Sequence, residues 1–319
     1  MFKNSISAKI TVFLLSCFIM IGGWAHADEI REPEFFKNNS EESRNFFDAD
    51  FSELKFSDYR SYTSAPKKRK KLRNIKNLDI SSDYFMGIFY DIAYTATSPA
   101  RWEKPDWIMA GTVAVGTGFF VGLDEEIRDV FEENRSSTTD DFANLFEPFG
   151  NGFVTVPALA AFYIFGHYDE NDKAKQTALI ATESFLITGL YTTILKVSMG
   201  RHRPSTGDSS TSFDGFTTDH KSFPSGHTST AFAIATVIAN KYEETPYIKP
   251  ISYGIASLTG LSRINDDKHW ASDVFFGAAL GYFTSKTILR LHNNKQGQHF
   301  TIYPRADSRG GGIVLSKNF

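Results

Sequence analysis

Three short clusters of polar residues carry side chains that could act together on a tetrahedral oxyanion. The first spans residues 196–204 (KVSMGRHRP), the second is residues 224–227 (PSGH), and the third spans residues 262–273 (SRINDDKHWASD). Each cluster lies at one end of an apolar run of the kind that forms buried helices. Helix ends can meet at one face of a bundle, so the clusters could form a single site.

Three cations in these clusters suit the binding of an anion. Lys196, Arg203 and Arg263 carry positive charge at neutral pH, and an arginine fork can pair with two phosphate oxygens at once. A hard metal ion would need several oxygen ligands and would be repelled by these cations. Ser225 and Gly226 stand before a helical run, where free N–H groups form an anion site. Taken singly, each cation could be a solvated surface charge, and Ser225 could be a simple helix cap.

Two histidines could divide the work of a nucleophile and an acid. His269 and Asp273 are four residues apart, so they share one face if the segment is helical. The carboxylate can then hold one ring nitrogen and leave the other as a nucleophile. His227 belongs to a separate helix start and could protonate a leaving oxygen. Alone, a His–Asp pair at this spacing could equally be structural.

Four more polar residues are expected to support the site or to face the substrate: Arg201 and His202 inside the first cluster, and His220 and Lys221 before the second.

The three clusters resemble the tripartite signature of the type 2 phosphatidic acid phosphatase superfamily. That superfamily also contains bacterial class A acid phosphatases and vanadium haloperoxidases. Every fixed position of the signature is filled here in the right order: Lys196, Arg203, Pro204, Pro224, Ser225, Gly226, His227, Ser262, Arg263, His269 and Asp273. The resemblance covers roughly residues 85–290.

The resemblance implies a role for each matched residue. His269 would be the nucleophile that forms a phosphohistidine, Asp273 its orienting partner, and His227 the general acid. The phosphate would be held by five residues: Lys196, Arg203, Ser225, Gly226 and Arg263. No metal or other cofactor is implied.

The function implied is an exported, metal-independent phosphatase. It would hydrolyse phosphomonoesters or pyrophosphates, with phosphatidate-like or isoprenoid lipids as the expected substrates. Three alternatives stay open: a soluble periplasmic non-specific acid phosphatase, a vanadium-dependent haloperoxidase with vanadate on His269, and a phosphoanion-binding envelope protein without turnover. The intact histidines argue against the last of these.

The elements that must position these residues begin at residue 84. Six apolar runs follow, each shorter than the ~20 residues that a bilayer-spanning helix needs: 107–123, 152–166, 177–195, 228–239, 250–262 and 274–285. The pattern and the resemblance predict an all-α fold over residues 84–293, a bundle of about six core helices like that of acid phosphatases and haloperoxidases. Two alternating runs within residues 294–319 predict a short C-terminal β-hairpin.

The N-terminal residues predict export. Residues 1–27 combine two lysines, an apolar stretch and small residues before a cleavage position, which is the pattern of a signal peptide. An uncleaved anchor helix and lipidation at Cys17 are the alternatives. Since Cys17 is the single cysteine, cleavage would leave a mature chain without a thiol.

Residues 28–83 predict a polar, weakly ordered extension. A basic run at residues 67–73 closes it, either as a solvated linker or as a contact for anionic lipid headgroups. The net charge of −3 gives no reason to expect nucleic acid as a partner. The expected partner is a phosphorylated lipid or a small phosphoester, with membrane association, while the oligomeric state stays unknown.

The expected location is the bacterial cell envelope, with the active site on the periplasmic side. Soluble, peripheral and integral forms stay open because membrane crossings are hard to count. If residues 28–105 are exported and the first three apolar runs all cross, residue 196 would be cytoplasmic, and an acidic loop would stand where basic loops are expected. A further crossing at 84–98 would restore the parity, but Asp91 makes that segment a poor span. His292 is expected at the surface.

Overall fold

The described part of the chain is helical. The computed structural model describes residue 80, residues 82–293, and the backbone of residues 300–307 and 310–317. The predicted signal peptide (1–27) and nearly all of the predicted extension (28–83) lie outside the described residues. Nine α-helices are present within the described range: α1 Ser82–Ala96, α2 Lys104–Val121, α3 Asp124–Glu133, α4 Ser137–Phe146, α5 Gly152–Tyr168, α6 Asp172–Met199, α7 Gly226–Lys241, α8 Ile248–Asn265 and α9 Ala271–Asn293.

The predicted all-α class is confirmed. Each of the six apolar runs falls within one helix or, for the first, within α2 and the turn after it: the six helices are α2, α5, α6, α7, α8 and α9. Helices α1, α3 and α4 are additional, and short 3₁₀ turns cover Ser98–Arg101, Glu147–Gly150 and Pro204–Thr206.

The C-terminal residues form two strands in the backbone. Strand β1 (Phe300–Asp307) pairs antiparallel with β2 (Gly310–Lys317), with Phe300 opposite Lys317 and Asp307 opposite Gly310. The side chains of both strands lie outside the described residues. For this reason the hairpin predicted over residues 294–319 stays a prediction.

Side-chain caps fix where several helices begin. Asn151 accepts a hydrogen bond from the Phe153 amide at the start of α5, and Asn171 accepts one from the Ala174 amide at the start of α6. These oxygens satisfy amides that would otherwise lack a partner in the first helical turn.

Helix α7 lies at the centre of the bundle and packs against α6, α8 and α9. Two glycines of α9 allow its backbone to approach α7 closely. A Cβ built at Gly281 would lie 2.2 Å from the carbonyl oxygen of Ser229, and one at Gly277 would lie 2.8 Å from that of Ser225. Small residues four apart bring two helix backbones together in this way. The short distance between α7 and α9 therefore depends on the absence of a side chain at Gly277 and Gly281.

His292 is buried, so its predicted surface position is wrong. Its Nε2 lies 2.8 Å from Glu183 Oε2 and 3.6 Å from Asp91 Oδ2, between α9, α6 and α1. A buried carboxylate is strongly disfavoured unless it is paired, which gives a physical reason for the histidine's position. The same contact shows that Asp91 faces the bundle. Its charge is therefore no argument against contact between the outer face of α1 and lipid.

Apolar side chains are exposed on the outside of the bundle. Within the described residues one helix, α6, is long and apolar enough to cross a membrane, and up to three spans result if two bent pairs, α2 with α3 and Ser137–Gly150 with α5, each count as one. The exposed fraction reaches 93% for Phe153 and 74% for Val115. Further exposed apolar residues lie on α1, α2, α5 and α6: Phe85, Met86, Phe89, Trp107, Phe119, Ile164, Phe165, Leu186, Leu190 and Ile194. A patch of this extent is typical of a surface that contacts lipid or another apolar partner.

Candidate active site

The three sequence clusters meet where four helices end or begin. Lys196 lies in the last turn of α6, His227 in the first turn of α7, and Arg263 in the last turn of α8. Asp273 lies in the first turn of α9, and His269 lies two residues before that helix. The alternating direction of the helices thus brings all three clusters to one end of the bundle.

Backbone hydrogen bonds join the clusters. The amide of Ser222, just before the second cluster, donates to the carbonyl of Arg201 at 2.9 Å, and the amide of Ser225 donates to the carbonyl of Asp273 at 3.0 Å. The indole Nε1 of Trp270 donates to the carbonyl of His202 at 2.9 Å. The first cluster is thus tied to the second, the second to the third, and the third to the first.

A glycine makes the first of these connections possible. Gly200 ends α6 with φ of +58°, a left-handed conformation that most residues disfavour. A Cβ at this position would also lie 2.3 Å from the carbonyl oxygen of Gly215. The chain can therefore turn sharply after α6 and direct Arg201 into the protein.

Asp273 is a fully buried carboxylate with several donors. Its Oδ2 accepts from Ser222 Oγ at 2.5 Å and from the Trp270 amide at 3.0 Å, while Oδ1 accepts from Arg201 at 2.6 Å. Burial alone would raise its pKa, but the contacts with His269, Arg201 and Ser222 outweigh burial and hold the pKa below the usual value. Asp273 therefore keeps its negative charge beside the histidine.

His269 faces this carboxylate through Nδ1. The Nδ1 atom lies 3.4 Å from Asp273 Oδ2, which is a close electrostatic contact but longer than a good hydrogen bond. Burial lowers the pKa of His269 to about 3, and the nearby charge of Asp273 only partly offsets this effect. The ring is neutral at ordinary pH, as a nitrogen nucleophile must be.

The carboxylate is fixed by a buried ion network that the sequence pattern did not reveal. Arg201 is fully buried; one terminal nitrogen donates to Asp273 and Ser272 Oγ, and the other donates to Asp124 Oδ2 at 2.7 Å. Asp124 is 1% exposed and also accepts from the Ser272 amide and hydroxyl. Arg201 was expected only as a neighbour of the site, whereas it is the counter-ion of two buried carboxylates.

The expected phosphate-binding cations surround the histidines. Lys196 Nζ donates to the carbonyls of Lys221 and Ser222, which points it at the turn before α7. Arg203 is half-buried and forms no salt bridge within the described residues. The charges of Lys196 and Arg203 both act on His269 and lower its pKa further. Both charges are therefore near enough to His269 to influence its protonation.

His227 contacts a carboxylate from another helix. Its Nε2 lies 2.8 Å from Glu147 Oε1, and this oxygen also lies 3.5 Å from Arg263, which pairs in addition with Asp266. Burial lowers the pKa of His227 and Arg263 lowers it further, while Glu147 opposes both effects. A Cβ at Gly150, three residues after Glu147, would lie 2.5 Å from the His227 carbonyl oxygen, so this turn packs directly on the histidine backbone.

Ser225 occupies the N-cap position of α7 but does not cap the helix. No capping hydrogen bond forms; its Oγ accepts instead from Thr228 Oγ1 at 2.8 Å, and the residue is fully buried. Gly226 follows beside Lys196, at 3.7 Å between a built Cβ and Cε. The start of α7 therefore lies beside Lys196, and free amides in the first turn of a helix can bind an anion.

The comparisons with known proteins agree with the motif. Residues 177–296 match the family model described as PAP2 superfamily, the superfamily whose tripartite signature the three clusters resemble. The match contains all three clusters, most of α6, and the whole of α7, α8 and α9.

Several curated proteins are similar to part of this chain. Lipid A 1-phosphatase of Porphyromonas gingivalis is 45% identical over 129 residues, which cover 38% of this chain and 26% of the relative. Lipid phosphate phosphatase 1 of Arabidopsis thaliana is 29% identical over 168 residues, which cover 42% of this chain and 51% of the relative. The chain thus spans about a quarter and about half of the lengths of these relatives. The crystal structure of Aquifex aeolicus LpxE aligns with a TM-score of 0.43 and 29% identity, over 53% of this chain and 95% of that one.

Replacement of Arg201 by leucine tests the ion network. The change leaves Asp124 and Asp273 buried without their counter-ion, so we expect it to lower the free energy of unfolding by about 3–5 kcal/mol. Thermal or denaturant unfolding of the purified chain measures the loss.

The matched control is Arg135→Leu, which breaks the ion pair of Arg135 with Asp140 at the surface. An exposed pair of this kind contributes about 0–1 kcal/mol. Equal losses in the two variants would contradict the structural role given to Arg201.

Proposed function

We propose that the helical domain is a phosphatase that hydrolyses phosphomonoesters or pyrophosphates of lipids through a phosphohistidine. The observation that carries the proposal is the meeting, at one end of the bundle, of His269 with its buried Asp273, of His227, and of the cations Lys196 and Arg263. Phosphoryl transfer depends mainly on positioning and charge stabilisation, and this set of groups offers both.

The first step would transfer the phosphoryl group to His269. Asp273 faces Nδ1 and would orient the ring, so Nε2 attacks phosphorus while the bond from phosphorus to the leaving oxygen breaks. His227 in its protonated form gives its proton to that oxygen, and the alcohol or phosphate leaves. Lys196, Arg203 and the amides of α7 stabilise the charge on the non-bridging oxygens.

The second step would release phosphate. A water molecule attacks the phosphorus of phosphohistidine, neutral His227 accepts a proton from that water, and the bond to His269 Nε2 breaks. Inorganic phosphate leaves, and both histidines return to their starting protonation states. Glu147, within 2.8 Å of His227 Nε2, would position this ring in both steps.

A lipid substrate is supported by the surface beside the site. The exposed apolar side chains of α1, α2, α5 and α6 suit contact with acyl chains, and α6 carries both a stretch long enough to cross a bilayer and Lys196 of the site. Two relatives that match part of this chain are named as phosphatases of lipid A and of lipid phosphates. A lipid could therefore remain in the bilayer while its phosphate enters the site.

Variants of the histidine and its partner test the mechanism. We expect His269→Ala to abolish phosphate release, because the nucleophile is lost, and Asp273→Asn to reduce it strongly, because the ring loses its orienting charge. Phosphate release from lipid A, phosphatidate and undecaprenyl pyrophosphate, set against p-nitrophenyl phosphate and nucleotides, measures both the effect and the preferred class.

His167→Ala serves as the control, since this histidine is exposed on α5 away from the site. Turnover at the parent rate in purified His269→Ala would contradict the mechanism. A parent chain that prefers nucleotides to every lipid would remove the lipid assignment and leave the chemistry intact.

The pH dependence of kcat/KM tests the acid. His269 must be neutral, which its pKa of about 3 permits at all but strongly acidic pH, and His227 must be protonated. Because burial lowers the pKa of His227 from its ordinary 6.5, activity on an alkyl phosphate should fall as pH rises through a value below 6.5. Glu147→Gln removes a charge that raises this pKa, so the falling limb should move to lower pH.

The substrate ionises in the same way with both enzymes. The shift between the pH profiles of the parent and Glu147→Gln therefore reports on the enzyme alone. Glu133→Gln, an exposed change on α3, is the control and should leave the profile in place. A falling limb that stays fixed or moves to higher pH in Glu147→Gln would contradict the role of Glu147.

We further propose that the domain resides in the bacterial cell envelope with its site facing the periplasm. The signal-peptide pattern of residues 1–27 supports export, and the four helix ends that carry the site lie at one end of the bundle. Intact cells that express the chain should hydrolyse a membrane-impermeant phosphoester at the rate of lysed cells. Hydrolysis that requires lysis would place the site in the cytoplasm.

A further inference from the structure

The loop between α6 and α7 carries a second cluster of ligating side chains, separate from the reacting histidines. His202, Asp214 and His220 each place one ligand atom within 4.8 Å of the others. His202 lies one residue before Arg203 of the phosphate site, and His220 lies shortly before the turn that contains Ser222. The cluster therefore joins the two ends of the loop that shapes the site.

We propose that these three side chains bind a divalent transition-metal ion, with zinc as the best fit. His202 Nε2 lies 3.0 Å from Asp214 Oδ2, and His220 Nε2 lies 3.5 Å from the same oxygen. In a tetrahedral zinc site with bonds of about 2.0–2.1 Å, neighbouring ligand atoms are about 3.3–3.4 Å apart. The observed separations bracket that value.

Two imidazoles and one carboxylate are ligand types that zinc accepts, and water would fill the fourth position. Both Nε2 atoms lie within 3.5 Å of Asp214 Oδ2, and the rings stack with centroids 3.6 Å apart and planes at 13°. Ligands of one tetrahedral ion splay apart, so one ring would turn away from the other when the ion binds.

Asp208 supplies the outer partner that metal-bound histidines usually have. Its Oδ2 lies 2.6 Å from His202 Nδ1, the ring nitrogen that faces away from the cluster. A carboxylate at this place fixes the tautomer and the orientation of the ring, and it strengthens the opposite nitrogen as a ligand. The contact between Asp208 and His202 is independent of the spacing of the three ligand atoms, and it also favours a bound metal.

Charge and access also fit the proposal. Asp208 and Asp214 supply two negative charges that offset the cations of the nearby phosphate site. Imidazole ligands suit zinc, whereas calcium and magnesium prefer oxygen ligands throughout. The side chains of His202, His220 and Asp214 are 16%, 30% and 49% exposed, so an ion can reach them from solvent.

The ion would have a structural task and take no part in phosphoryl transfer. By bridging residue 202 to residues 214 and 220, it would fix the loop whose backbone meets Arg201 and Ser222. The main-chain contacts of His202 with Ser212 and Trp270 do not involve its side chain, so removal of the imidazole leaves them intact. Loss of the metal should therefore loosen the loop without destroying the fold.

Metal analysis of the full chain, purified without a histidine tag and stripped with a chelator, tests the proposal. After exposure to Zn²⁺ and dialysis we expect about one zinc per chain in the parent and a large loss in His202→Ala and in His220→Ala. Asp208→Asn should weaken zinc binding about 10–100-fold, as expected for an outer partner. His167→Ala, an exposed histidine on α5, is the matched control and should bind zinc like the parent.

Two further readouts do not depend on catalysis. Cobalt(II) in place of zinc should give the visible absorption of a tetrahedral site, and zinc should raise the Tm of the parent while leaving the Tm of His220→Ala unchanged. If His202→Ala does not fold, His220→Ala and Asp214→Asn carry the test. Zinc retention in these variants equal to that of the parent, or no retention by the parent, overturns the metal site and leaves the phosphatase proposal untouched.

Discussion

The arrangement of the site depends on one buried carboxylate. Asp273 is fully inside the protein, and its two oxygens receive hydrogen bonds from Arg201, from the Ser222 hydroxyl and from the Trp270 amide. These donors come from all three parts of the chain that build the site. A buried charge is stable only where such partners surround it, so the need to satisfy Asp273 holds the helix ends in register. His269 acquires its position from this arrangement and has little freedom of its own.

Much of this could be predicted from the sequence. The spacing of His269 and Asp273, and the positions of Lys196, Arg203 and His227, follow from motif spacing and from helical geometry. The helical class followed from the apolar runs. These signals are local, since each depends on residues that are close together in the chain.

The rest could not be predicted because its partners are remote. Asp124 meets Arg201 across 77 residues, and Glu147 meets His227 across 80. Nothing in an acidic surface-like stretch or in a short EPFG turn indicates such a contact. His292 shows the same difficulty, since it resembles an ordinary histidine until its pairing with Glu183 of α6 is seen. Buried charge pairs of this kind arise only from the packing of distant helices.

The glycines that set the distance between α7 and α9 have a consequence for how such a protein can diversify. At Gly277 and Gly281 the backbone of α9 contacts the backbone of α7, so neither position can accept a side chain. The wall of the site formed by α7 and α9 is thus closed to gradual change. New substrate preferences would have to arise on the opposite side, among exposed side chains of α1 to α5 that lie outside the site. On that side Asp124 and Glu147 would stay constant, since they contact Arg201 and His227 of the site.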